Sequence, residues 1–331
     1  MAISATKWLS VCLHYNEPWE ELLTKAVKPY IEVVLQAGVA ECFYFERSWD
    51  RGPNIRLWFK STEFLLESML KPNLLEHFQQ YFEAKPTILK APEYPAGFPE
   101  NQKWLSNNSV HFMGLQSSSE HQAGCPDLPV IERQYLASSR LILTILKEKQ
   151  GRWLYNGKFT TAIKMHLAMI YACGLTLKEA QKFATWAYEN WAAGSNPATE
   201  GVAQQHSFQA AFDLQRKDTL SYFVAVWELL KNYRKVENQT FIEWIHANSS
   251  ANLEISLALD AGTLKPLNVD HAPTEAAWTY YADFMHKTNN RLGIFKNNEG
   301  YLYYALAQCF KFLNQGLVNS SSVEFVRIKA A

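Results

Sequence analysis

The feature that most constrains the fold is the stretch 41–60, which reads ECFYFERSWDRGPNIRLWFK. Apolar and polar residues alternate on both sides of residues 49–53, and that central segment carries the Asp, Gly and Pro typical of a turn. The pattern therefore predicts a β-hairpin with one apolar face. Its other face carries Arg56, Trp58 and Lys60, and we interpret it either as a solvated surface or as a surface for an anion or a peptide.

The segments around this hairpin predict a small α+β sandwich. Residues 7–14 are typical of a strand, and a helix capped by Asn16 is expected to end near Gln36. Thr62 caps a second helix that ends near residues 83–86. Strand, helix, two strands and helix is the order of helices packed on a small sheet.

The remainder of the chain changes from proline-rich to helical. Residues 86–127 predict a long connection with one candidate strand at 110–115. From residue 128 the apolar period is helical, and helices are predicted at 129–149, 158–173, 176–192, 219–234, 239–248, 274–291 and 299–314. We therefore expect an α+β region with a mixed or antiparallel sheet at 1–127 and an irregular helical region at 128–331, together forming one compact unit.

Composition excludes several classes of protein. The 331 residues contain 32 Lys plus Arg and 32 Asp plus Glu, so no net charge favours DNA or an acidic membrane. No signal peptide or long apolar span is apparent, so we expect a soluble, cytoplasmic protein. The five cysteines are odd in number and widely spaced, which favours neither a disulfide framework nor a zinc site.

The strongest local candidate for chemistry lies at 283–293, DFMHKTNNRLG. On a helix, Asp283, His286 and Asn290 share one face, so a carboxylate can orient the imidazole of a general acid/base. The alternative is a polar helix end, since Arg291 suits the negative C-terminus and Gly293 the cap.

Two further polar positions favour structural roles. His166 lies in a strongly apolar helical segment and is expected to be a core residue. Glu132, with Arg133 and the residues at 138–140, is expected on an exposed helix face, where ion pairs contribute little. No P-loop, G-x-G-x-x-G, G-x-S-x-G or H-E-x-x-H motif occurs, and the histidines show no metal-ligand spacing.

Three segments in order resemble one known family. Residues 43–59, FYFERSWDRGPNIRLWF, are similar to the W-F-F-I-R-Y-x-x-G-P-H-L-R-L-R-F signature of the C-terminal domain of class I lantibiotic dehydratases. Residues 131–139, IERQYLASS, resemble its E-x-x-F-x-x-x-S helix, and residues 286–292, HKTNNRL, its H-M-x-x-N-R-L motif. The same domain occurs alone in thiopeptide-type bacteriocin biosynthesis proteins.

The resemblance implies maturation of ribosomally made peptides in antibiotic biosynthesis. Dehydratase members eliminate glutamate from glutamylated Ser or Thr. Their stand-alone relatives join two dehydroalanines into a six-membered nitrogen ring, by a formal aza-cycloaddition followed by loss of water and leader peptide. The implied partners are a precursor peptide, bound through leader and core, and a dehydratase protein. Neither a metal nor another cofactor is expected, and a homodimer is left open.

The departures from the family pattern favour ring formation. Arg47, Arg56 and His286 match family positions. Trp58, however, replaces the second arginine of L-R-L-R, and Asn54 replaces the histidine that follows G-P in the signature. The segment that normally supplies another arginine corresponds to the arginine-free 111–124 region. Elimination needs cations for the leaving carboxylate, and losing one such contact slows a reaction by roughly an order of magnitude or more. Two alternatives stay open: the glutamate-elimination half of a split dehydratase, and a non-catalytic peptide-binding partner.

We assign expected roles to the candidate site residues. His286 is the acid/base, Asp283 orients it, and Tyr301 is a second candidate proton donor. Arg56 is expected to hold a carbonyl or carboxylate and Trp58 to stack on the substrate. The remaining expected substrate-binding residues are Arg47, Asn290 and Arg291.

Overall fold

The computed structural model describes residues 6–116, 129–149, 155–195, 198–267 and 275–317. The chain divides into two compact units, Met1–Trp153 and Leu154–Ala331. The first contains the sheet and the second is helical, which confirms the α+β class. The helix that follows residue 128 belongs to the first unit, so the division of the structure falls later in the chain than the expected 127–128.

The described part of the first unit contains a four-stranded antiparallel sheet in the order β2-β3-β1-β4. The strands are β1 (Thr6–His14), β2 (Cys42–Ser48), β3 (Asn54–Thr62) and β4 (Ser109–Gln116). Phe43 pairs with Phe59 and Phe45 with Leu57, which confirms the predicted hairpin and its register. The turn needs positive φ, which Gly52 supplies at 101°.

Two helices pack on the apolar face of the sheet. They are α1 (20–36, with a π-helical turn at Leu23–Val27) and α2 (63–84, with a π-helical turn at Leu66–Leu70). Tyr30 of α1 contacts Phe59 of the sheet and Phe78 of α2, with ring centroids 6.3 and 5.6 Å apart. The alternation of the hairpin thus places its apolar side chains in a core that both helices complete.

The helix α3 (Pro129–Glu148) packs on β2 and reaches the other face of the hairpin. Lys60 donates to both carboxylate oxygens of Glu132 at 2.9 and 2.7 Å. Tyr135 contacts Tyr44 with ring centroids 5.3 Å apart. Glu132 is only 6% exposed and Ser138 and Ser139 are buried, so the expected exposed face is wrong for these residues. Arg133 and Arg140 are exposed, as expected. The sequence did not indicate that Lys60 would supply the partner that lets this carboxylate be buried.

Replacing Glu132 with alanine is expected to lower the free energy of unfolding by about 3 kcal/mol, because Lys60 loses the carboxylate that compensates its burial. Lys7→Ala is the matched control, since its pair with Glu63 has side chains 37% and 54% exposed. That change should cost at most about 1 kcal/mol. Urea unfolding measures both, and equal losses would contradict the distinction.

The second unit is built from helices throughout its described residues. They are α4 (Tyr155–Ala172), α5 (Leu177–Ser195), α6 (Ala198–Lys231), α7 (Gln239–Asp260), α8 (Ala276–Leu292) and α9 (Asn297–Asn314). In the described parts of the chain, none of the helices has the length and apolar character needed to span a membrane.

Candidate active site

The candidate site is built on the helical hairpin formed by α8 and α9. Gly293 ends α8 with a left-handed backbone, φ 78°, as a helix C-cap requires. Because α9 begins at Asn297, its first turn lies beside the last turns of α8. This connection brings Glu299 of α9 next to His286 of α8.

His286 and Glu299 form an acid–base pair. The His286 Nδ1 lies 3.0 and 3.2 Å from the two carboxylate oxygens of Glu299. The hydrogen bond to Glu299 is the main cause that raises the pKa of His286 above 6.5, and the charge of Asp283 adds to it. The Glu299 side chain is 6% exposed and that of His286 is 59% exposed. A buried carboxylate thus orients a ring that is open to solvent.

The carboxylate of Glu299 is held by two further donors. Tyr303 OH donates to Glu299 Oε1 at 2.9 Å, and Asn289 Nδ2 donates to the same oxygen at 3.1 Å. Burial raises the pKa of Tyr303 well above its ordinary value, so its hydroxyl stays protonated and can donate. Glu299 also lies in the first turn of α9, where the helix dipole favours negative charge. These contacts hold the carboxylate in place, where it accepts the Nδ1 proton of His286.

A second histidine, His166, holds the side-chain amide of Asn289. His166 on α4 is fully buried, and its Nε2 lies 2.7 Å from Asn289 Oδ1. Burial lowers the pKa of His166 to about 4, so the ring is neutral near pH 7. Since an amide oxygen only accepts, His166 Nε2 carries the proton and donates it. The structure therefore agrees with a core position for His166, and gives it a polar contact as well.

His286, Glu299 and Tyr303 line a pocket of about 370 Å³. Among the described residues that line it, α5 contributes two indole rings and α8 and α9 contribute most of the polar groups. The lining consists of Trp186, Ala187, Asn190, Trp191, Leu267, Thr279, Ala282, Asp283, His286, Glu299 and Tyr303. No hydrogen bond from the described residues reaches His286 Nε2, so that nitrogen is available for proton transfer to or from a bound molecule.

The pairing gives a testable pH dependence. Replacing Glu299 with glutamine removes the main cause of the raised pKa, so the His286 midpoint should move down toward 6.5 or lower. An NMR titration of the His286 ring measures the midpoint in both proteins. Because the folded pKa is the higher one, the pair stabilises the fold below pH 6.5 and loses that effect as pH rises through the raised pKa. An unchanged midpoint in the variant would contradict this assignment.

The structure brings only some of the sequence-predicted residues to this pocket. Asp283 and His286 line it, but the carboxylate at Nδ1 is that of Glu299. Tyr301 stacks on Phe159, with ring centroids 5.3 Å apart, and Tyr303 provides the hydroxyl at the site.

The other predicted site residues do not line this pocket. Arg291 is fully buried, and Asn290 is half-buried beside it in α8. In the first unit, Arg47 lies 3.3 Å from Glu20 in a buried pair. Two more residues lie on β3. Arg56 donates to Asp50 at 3.0 Å, and Trp58 stacks on Tyr44 with ring centroids 5.9 Å apart.

Sequence reasoning missed Glu299, Asn289, Trp186 and Trp191. The available signal for Glu299 was its place just beyond the Gly293 stop, because a short connection between helices returns the chain to the end of the preceding helix. The described residues contain no group of three His, Cys, Asp or Glu side chains placed to hold a metal ion.

The chain belongs to the family described as lantibiotic biosynthesis dehydratase C-term, which matches residues 8–310. The fold is similar to that of a pyridine synthase, TbtD, from thiomuracin biosynthesis, with a TM-score of 0.74 at 16% identity, covering 94% of this chain and 100% of that one. It is also similar to TsrL, with a TM-score of 0.62 at 14% identity and coverage of 96% and 98%.

A third similar structure is the tRNA-dependent lantibiotic dehydratase MibB from Microbispora sp. 107891. Its TM-score is 0.60 at 14% identity, covering 93% of this chain and 28% of that one. A comparison with curated protein sequences finds no match.

Proposed function

We propose that this protein is a peptide-modifying enzyme that joins two dehydroamino acids of a ribosomally made peptide into a six-membered nitrogen ring and releases the leader peptide. The observation that carries this is the His286–Glu299 pair in an aromatic-walled pocket. Family membership and the similar fold of a pyridine synthase support the same reaction class.

The chemistry of ring formation needs proton transfer more than it needs charge neutralisation. One dehydroalanine reacts as a 2-azadiene after the preceding amide becomes its iminol, and the second supplies the two-carbon partner. Two carbon–carbon bonds form. The hydroxyl derived from the amide oxygen then leaves as water and the leader leaves as an amide, each with one ring C–H proton. The bonds balance without an oxidant.

His286 is the group suited to these proton transfers. Its Nδ1 is held by Glu299, so Nε2 can remove the amide N–H proton and return a proton to the carbonyl oxygen. The same nitrogen can assist the later losses of water and leader. Holding the two reacting groups together lowers the barrier further, because a bound pair reacts as one molecule.

The described lining of the pocket suits a neutral reactant better than a glutamyl ester. It contains the carboxylates of Asp283 and Glu299, and its described residues include no Lys or Arg. A glutamyl group carries a carboxylate, which these two side chains repel. Glutamate elimination by a divergent split dehydratase is therefore the second candidate, and peptide binding without catalysis is the third.

Partners follow from the reaction. The substrate is a precursor peptide with its leader attached, and a dehydratase must first convert its serines to dehydroalanines. We also propose that the sheet side chains Arg47, Arg56 and Trp58, with Asn290 and Arg291, contribute to substrate binding, directly or through the residues that they hold in place.

Mass spectrometry of the cognate precursor tests the function. The peptide is supplied separately in dehydrated and in glutamylated form and incubated with the full chain. Loss of water and leader from the dehydrated form, with a new ultraviolet-absorbing ring, is the expected result. Loss of glutamate from the other form would instead establish an eliminase. Binding with no change of mass in either would establish a non-catalytic partner.

A further inference from the structure

Gly300 is a glycine at the end of the first turn of helix α9, next to the site carboxylate Glu299. Glycine is among the poorest helix formers, so its presence there indicates a need for space. A Cβ at Gly300 would lie 2.3–2.5 Å from the outer ring of Trp191. The indole of Trp191 therefore lies directly on the backbone of α9 at Gly300. Any other residue at position 300 would displace the indole.

Aromatic neighbours hold Trp191 in this position. Its ring stacks on Tyr188, with centroids 6.5 Å apart, and contacts Phe208 at 5.9 Å. Trp186 precedes it on α5 and is itself held by Phe183, with centroids 6.2 Å apart. Both indoles are half-buried and both line the pocket that contains His286. The part of the pocket wall that α5 contributes is thus aromatic and held in place.

The charge of the described lining restricts what this wall can bind. Asp283 and Glu299 are acidic, while His286 is the one group among the described lining residues that can become cationic. An anionic ligand would meet two carboxylates. A flat, uncharged group gains from stacking on the indole and is not repelled.

We propose that Trp191, held against Gly300, forms with Trp186 a subsite that selects a planar, uncharged, π-conjugated group of the peptide substrate. A dehydroalanine side chain with its adjoining amides has this chemistry, whereas alanine at the same position is tetrahedral. This inference rests on the proposed function for its choice of substrate, and it adds which residues discriminate.

Binding to a non-reacting protein tests the subsite. His286→Ala serves as the background, so that bound peptide is not consumed. Fluorescein-labelled precursor peptides with dehydroalanine, alanine or glutamylated serine at the reacting positions are titrated, and anisotropy gives each Kd. We expect dehydroalanine to bind roughly three- to tenfold more tightly than alanine, and the glutamylated peptide to bind most weakly.

Substitutions at the contact should remove this preference. Trp191→Ala deletes the wall, and Gly300→Ala pushes the indole away. Gly194→Ala is the matched control, because a Cβ at this α5 glycine meets no atom within 4 Å. The double variant Gly300→Ala with Trp191→Phe should regain part of the preference, since phenylalanine lacks the outer ring atoms that the new methyl group would meet.

The outcomes separate this inference from the proposed function. The proposed subsite is contradicted if Trp191→Ala keeps the full preference for dehydroalanine over alanine, or if Gly300→Ala behaves like Gly194→Ala. This holds even when ring formation is observed. If the preference depends on Trp191 but the wild-type protein leaves the dehydrated precursor unchanged, the subsite stands and the proposed reaction fails. Should Gly300→Ala not fold, Trp191→Ala and Trp191→Phe decide the matter alone.

Discussion

Replacing His286 with alanine is expected to lower the turnover number on dehydrated precursor by about 10²–10⁴-fold, because the reaction loses its general acid/base. Peptide binding should change far less, since the aromatic wall of the pocket does not depend on the imidazole. Single-turnover mass spectrometry measures the rate, and anisotropy of the labelled peptide measures the affinity. Added imidazole should restore part of the activity by entering the space that the ring leaves.

His206→Ala is the control for this change, because His206 is an exposed histidine on α6 and does not line the pocket. Its activity should match that of the unaltered protein. Full activity in His286→Ala would show that another group transfers the protons. The pocket would then be a binding site for the peptide and nothing more.

Glu299→Gln is expected to reduce turnover by roughly 10²-fold, since the carboxylate fixes the tautomer and orientation of the catalytic ring. Asp283→Asn is the matched comparison, because both residues are acidic and line the same pocket. We expect it to cost less than about tenfold, as its charge is a minor contribution to the His286 pKa. The pH–rate profile should shift more for Glu299→Gln than for Asp283→Asn.

A larger loss from Asp283→Asn would support the orienting role that the sequence indicated for Asp283. Equal losses would mean that both carboxylates act on the imidazole together. Circular dichroism of each variant checks that the helices remain, because Glu299 also receives hydrogen bonds from Asn289 and Tyr303.

The parts of the fold that sequence predicted well are those with a strong local pattern. The hairpin at 41–60 was predictable because apolar alternation and turn chemistry lie within twenty residues. The helix α6 begins 21 residues before its predicted start at 219. The prediction missed this part because residues 204–218 are largely exposed and lack a continuous apolar stripe. The helix α7 extends to Asp260, past the predicted end at 248, and its added turns bury Ala251 and Ile255 in the core.

The candidate site was predictable only in part, for a geometric reason. His286 and Asp283 share one helix, so their proximity follows from the helical repeat. The contact of His286 with Glu299 depends on how two helices are joined, and that of Asn289 with His166 joins residues 123 positions apart. Helical periodicity carries no information about such contacts. The role of Trp191 could not be predicted for the same reason, because Gly300 on another helix sets the position of its ring.

The helical hairpin of α8 and α9 carries the proton-transfer groups, while the aromatic side of the pocket comes from α5. Under the proposed function, the acid–base pair and the two indoles are therefore encoded in separate stretches of the gene, which meet where Trp191 contacts Gly300. Changes along α5 can alter which peptide is accepted while the histidine and its carboxylate stay in place. Such a division would let small changes along α5 fit the pocket to new peptides while each step keeps the acid–base pair.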